Sequence, residues 1–118
     1  MPDKRAKKLV CKYFKWWVHW LGLGYWDMTL VFSDKKVNQG DGYSRAGYCE
    51  CQWKYLTATV TIYPKAIKHL SEYEIERVVI HELVHVLINE MREAGIDHEE
   101  RVVTQLQKAF NWVKESNA

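Results

Sequence analysis

The amino-acid sequence predicts an α+β fold in a single domain over residues 1–118: an N-terminal helix, a small three-stranded and mostly antiparallel sheet, a buried helix and a C-terminal helix. Three patterns carry this expectation. Apolar residues recur at helical spacing near both ends, they alternate with polar residues in the middle, and the run Ile75 to Met91 is apolar on nearly every side. A chain of 118 residues can bury one core and is too short for a second.

The first helix is expected from about Lys4 to Leu21, where Leu9, Val10, Tyr13, Phe14, Trp17, Val18 and Leu21 form a stripe and Gly22 and Gly24 end it. Trp26, Met28, Leu30 and Phe32 alternate with Asp27 and Thr29, as in a strand with one buried face. Ser33 to Gly47 has the composition of a loop, long enough to help shape a cleft. Cys49, Cys51, Trp53 and Tyr55 alternate, then Ala58, Val60 and Ile62 do so, which predicts a hairpin although no glycine marks its turn. Pro64 stops the second strand. Ser71 followed by Glu74 forms a capping-box pattern that starts the buried helix. Gly95 offers a stop, and the last helix runs from an Asp97 cap to about Val113 with Val102, Val103, Leu106, Phe110 and Val113 inward.

Composition narrows the classes. The formal net charge of +2 and the ordinary charged fraction exclude a disordered chain or a dominant nucleic-acid field. The basic residues are uneven, however: Lys4, Arg5, Lys7, Lys8, Lys12 and Lys15 crowd the first helix among Tyr13, Phe14, Trp16 and Trp17. A solvated face over a packed aromatic stripe is the expected outcome, and contact with nucleic acid or a membrane surface is the alternative. Cys11, Cys49 and Cys51 have no paired spacing, which predicts reduced thiols and a cytoplasmic location; Cys49 and Cys51 are expected to pack, with a Cys-x-Cys metal pair as the rival reading. Neither a secretory signal nor a membrane-spanning segment is legible, so no membrane partner is expected.

The buried helix encloses His81-Glu82-Leu83-Val84-His85. Histidines four apart on a helix are offset by about 40° and about 6 Å, so both imidazoles can reach one metal ion. Glu82 projects about 100° from His81, off the metal yet close enough to take a proton from its water. Buried imidazoles and a carboxylate are costly without such a partner. The pattern is the His-Glu-x-x-His signature of zinc peptidases, with Zn2+ as the expected cofactor.

Catalytic zinc takes three protein ligands and a water, so a third ligand is needed; His98, Glu99 and Glu100 lie where the chain turns back. Position 91 is Met91, which excludes the metzincin arrangement with its third histidine. Two histidines on one helix and a glutamate on the next resemble the gluzincins, and most of all the small metallopeptidases of phages and mobile elements. Glu100-Arg-Val-Val-Thr-Gln-Leu-Gln is similar to that group's third-ligand helix through Val103, Thr104 and Leu106, and departs from it at Gln107. The resemblance implies a zincin-like fold, Glu100 as ligand, a phage- or prophage-encoded cytoplasmic protein, and the Thr57 to Tyr63 strand as the edge that pairs with an extended substrate. Two physical arguments favour Glu99 instead. Glu100 would be the third helical residue after an Asp97 cap and could close a capping box, and the helical wheel puts Glu99 nearer the buried stripe.

Distance sets a further expectation. A metal helix continuing to Arg92 would end about 10 Å beyond His85 and leave Glu100 short of the site, so the helix should stop within about a turn of His85, with Asn89 to Gly95 irregular. The sequence therefore predicts a monomeric zinc metallopeptidase acting on a protein or peptide, with His81, His85 and Glu100 (alternatively Glu99) on the metal and Glu82 as general base. The oxyanion donor stays open among the tyrosines, His19 and His69. The rival is a mobile-element regulator with structural zinc that binds nucleic acid or a protein through its basic aromatic helix; that helix could also lie over the cleft as an inhibitory segment.

Overall fold

The computed structural model describes residues 2–34, 46–89 and 98–116. Within them the chain forms helix α1 (Pro2–Trp20), strands β1 (Asp27–Phe32), β2 (Gly47–Gln52) and β3 (Thr57–Ile62), the short helix α2 (Pro64–Ile67), helix α3 (Glu72–Leu87) and helix α4 (Glu99–Ser116). The loop expected from Ser33 to Gly47 lies mostly outside the described residues, as does the segment expected to be irregular beyond Asn89.

α1 buries Ala6, Val10, Tyr13 and Trp17 at three- and four-residue spacing, the inward stripe of a helix. It ends where Gly22 adopts φ +72°: the Gly22 amide donates to the His19 carbonyl (3.1 Å) and the Leu23 amide to that of Val18 (2.9 Å). This pair of bonds satisfies two terminal carbonyls, and only glycine takes that backbone without strain. Leu23, the next residue, is fully buried.

The sheet order is β1-β3-β2, with β1 parallel and β2 antiparallel to β3. The expected mostly antiparallel sheet is therefore mixed. β2 and β3 form the predicted hairpin, but β3 folds into the middle and meets β1 running the same way. The expectation that the Thr57–Tyr63 strand is a free edge is overturned for the same reason, since both of its sides are paired. β2 also ends at Gln52, before Trp53 and Tyr55. A single 3-10 turn over Trp53–Tyr55 and Leu56 at φ 54° make the reversal, so a leucine occupies the left-handed position that a glycine usually holds.

α3 starts with the predicted capping box: the Glu74 amide donates to Ser71 Oγ, and the Ser71 amide donates to Glu74 Oε1, both at 3.2 Å. Ile75, Val79, Ile80, Leu83, Val84 and Val86 are buried along it, which makes α3 the centre of the core between α1, α4 and the sheet. It stops at Leu87, two residues past His85. Pro64, expected only to end a strand, also opens α2, because its missing N–H falls where a helix needs none.

α4 departs from its expected stripe. Val103, Gln107 and Asn111 are buried, Val102, Leu106 and Phe110 flank them, and Val113 is exposed. The burial of two amides is made tolerable by their own bond, in which Gln107 Nε2 donates to Asn111 Oδ1 at 2.8 Å. The Val102 amide donates to the His98 carbonyl (3.1 Å), so His98, at φ 73°, precedes the first helical residue. Glu99 and Glu100 are thus the first and second residues of α4, and Glu100 does not stand at the capping-box position.

Candidate metal centre

The four-residue spacing on α3 brings the His81 and His85 rings to 5.0 Å between centroids. Their side chains are 28% and 5% exposed, so one ring lies at the mouth of a cleft and the other inside the protein. From the first turn of α4, Glu100 reaches both. Its Oε2 lies 3.2 Å from His81 Nε2 and its Oε1 lies 2.8 Å from His85 Nε2. Candidate ligand atoms of His81, His85 and Glu100 all fall within 4.8 Å of one another, the grouping of this kind among the described residues.

Glu99 takes a different place. Glu99, Val103, Gln107 and Asn111 follow one another at four-residue spacing, so Glu99 continues the inward line of α4 while Glu100 turns to the rim. The side chains are 16% and 71% exposed accordingly. His85 Nδ1 donates to Glu99 Oε2, which fixes the ring and leaves Nε2 as the nitrogen directed at the cleft. The two acids that the sequence left in competition hold opposite sides of one histidine.

Glu82 is buried and lines the same cleft without belonging to the three-residue group. It lies against the start of β2. A Cβ at Gly47 would come within 3.0 Å of both Cγ and Oε2 of Glu82 and 3.1 Å of Ile62 Cδ1, so the absence of a side chain at position 47 makes room for the carboxylate. Burial and the neighbouring His85 hold the His81 imidazole below the usual histidine range, against an upward pull from Glu100. The ring therefore keeps a free lone pair at neutral pH, as a metal ligand must.

The cleft has a volume of about 830 Å³ and runs between the β2 end of the sheet and the outer face of α3. Gly47, Tyr48, Arg77, His81, Glu82 and Glu100 are among its walls. Sequence reasoning singled out neither Gly47 nor Arg77: a glycine at a loop end and an arginine in a helix carry no local signal of a site.

Other candidates are not brought in. His98 is exposed and outside the group, and neither His19 nor His69 lines the cleft; Tyr48 does, with its hydroxyl donating to Glu50 Oε1 at 3.0 Å. Cys49 and Cys51 lie with their sulfurs 3.8 Å apart, Cys49 buried on the cleft side, and they join no metal-ligating group among the described residues. No α1 residue lines the cleft, so α1 does not cover it. No helix among the described residues is long and apolar enough to cross a membrane.

Two imidazole nitrogens and one carboxylate oxygen converge beside an open cleft, a donor set that could hold a metal ion. Comparison with protein-family models, curated proteins and solved structures finds no match to the chain.

Proposed function

We propose that the chain is a zinc-dependent metallopeptidase in which His81, His85 and Glu100 hold the metal, Glu99 orients His85, and Glu82 is the general base. The observation that carries this reading is the position of Glu82: a buried carboxylate in the cleft, beside the donor group and not part of it. A purely structural zinc site has no use for such a base and is usually closed by four protein ligands.

Bound zinc would acidify a water and polarise the peptide carbonyl. Glu82 accepts the proton released as the water oxygen bonds to the carbonyl carbon, and returns it to the amine nitrogen as the C–N bond breaks. Its burial against Gly47 restricts the carboxylate to the cleft floor, where such a relay needs it. β2 borders the cleft through Gly47, Tyr48 and Cys49, so an extended peptide bound there would lie alongside this strand.

The test is metal content and cleavage of an unbiased peptide library, on wild type and two variants. Glu82→Gln should retain stoichiometric zinc and lose hydrolysis by about a hundredfold or more, the usual contribution of a general base. His81→Ala should lose both. Full activity in the glutamine variant would refute the assignment.

A second reading, a zinc-containing regulator, is favoured by one observation. Lys4, Arg5, Lys8, Lys12 and Lys15 are exposed on α1 together with Trp20 and the Trp16 ring stacked on it at 5.5 Å. Zinc without peptide cleavage, combined with steeply salt-dependent nucleic-acid binding, would select it.

A further inference from the structure

Arg77 stands four residues before His81, one turn toward the start of α3, and lines the cleft with it. It is the single lysine or arginine among the described lining residues, in a site otherwise bordered by the carboxylates of Glu74, Glu82 and Glu100. None of these pairs with it. Glu74 is committed to the Ser71 amide and hydroxyl (3.2 and 3.0 Å), Glu100 faces the two imidazoles, and Glu82 lies under Gly47. The guanidinium instead rests over the Tyr73 ring at 5.6 Å, a contact that steadies a cation and leaves its N–H fork available.

A half-buried arginine with no carboxylate partner among the described residues, set about 6 Å along the helix from His81, can take an anion that enters the cleft. We infer that the cleft selects peptides carrying a carboxylate one helical turn from the scissile bond, on the side facing the start of α3, and that Arg77 is the residue that reads it. This rests on the reading of the site as a peptidase. An acidic side chain and a free C-terminal carboxylate supply the same chemistry, and the bidentate fork suits either.

The experiment uses the zinc-loaded full chain and matched peptides. One series exchanges Glu for Gln at each position flanking the cleaved bond, with the C-terminus amidated; the other exchanges a free C-terminus for its amide in otherwise neutral peptides. The readout is the acid-to-amide ratio of kcat/KM. Wild type should favour the acid about tenfold or more at one position, the worth of one charge-assisted hydrogen bond, and the series that responds identifies the source. Arg77→Ala should bring the ratio close to one, Arg77→Lys should retain part of it, and Arg77→Glu should reverse it in favour of lysine-bearing peptides.

Peptide binding to Glu82→Gln, followed by fluorescence anisotropy with and without Arg77→Ala, reads the same preference without turnover. Cleavage with no acid preference overturns the role of Arg77 and leaves the peptidase reading standing. Acid-selective, Arg77-dependent binding with no cleavage upholds the carboxylate site and overturns the peptidase reading. A preference unchanged in all three Arg77 variants, with zinc content intact, overturns the inference.

Discussion

Glu99 and Glu100 are chemically identical neighbours with separate environments. One helical step of about 100° puts the first on the core side of α4 against His85 Nδ1 and the second at the rim beside both Nε2 atoms. Their variants should therefore differ in kind. Glu100→Gln is expected to abolish tight zinc binding, while Glu99→Gln should weaken it by about ten- to a hundredfold, the usual effect of losing the partner that orients a liganding histidine. Competition titration against a chromophoric chelator measures both, and equal losses would contradict the division. The helical wheel anticipates the burial of Glu99, while Glu100 is the exposed acid that lies beside both imidazoles. Gly47 was beyond the sequence for a different reason: its value lies in the space left for Glu82, a residue 35 positions away.

Elements were read best where the signal is local. The Ser71–Glu74 box, the glycine stop after α1 and the alternation of β1 each depend on residues within one turn or one strand. The order of the sheet depends on which strand is inserted between the others, and no local pattern records that. The same holds for the pairing of α1 with α3. The Tyr13 hydroxyl donates to the Glu72 carboxylate, Lys12 stands 3.7 Å from the same group, and Trp17 Nε1 donates to Glu76 Oε2 at 2.8 Å. The Tyr13 bond and the Lys12 charge hold the Glu72 carboxyl below its ordinary value of 4.5. A lowered acid favours folding while it is ionised, so this contribution is complete above pH 4.5 and disappears as pH falls through the folded-state value. Tyr13→Phe should remove part of that acid-side dependence, seen as a shallower fall in urea midpoint between pH 5 and pH 3; an unchanged slope would show that the bond does not act on stability.

At the scale of the whole molecule, α3 is tied to both other long helices on the side away from the cleft. Glu76 is buried there and accepts from both Trp17 of α1 and Lys114 of α4, whose ammonium also lies 4.5 Å over the Trp16 ring. The far end of α4 is therefore anchored to α3 independently of the first turn that carries Glu99 and Glu100. This layout suits a site built from two helices, because the remote tie fixes the crossing while the near end carries the acids that face the histidines.

The ending of α3 at Leu87 and the start of α4 at Glu99 also have a polymer-physical meaning. A metal ion held by His85 and Glu100 would cross-link two points 15 residues apart in the chain, so it would restrict the unfolded ensemble as well as perform chemistry. The entropic value of closing a loop of that size is about 3 kcal/mol by analogy with a disulfide. Stoichiometric zinc should accordingly raise the melting temperature by well over about 5 °C, and a chelator should reverse the rise. Because Glu82 is not part of the cross-link, Glu82→Gln should show the full thermal shift with no catalysis, which calorimetry can read without a substrate. A glutamine variant that loses the shift would place Glu82 among the ligands.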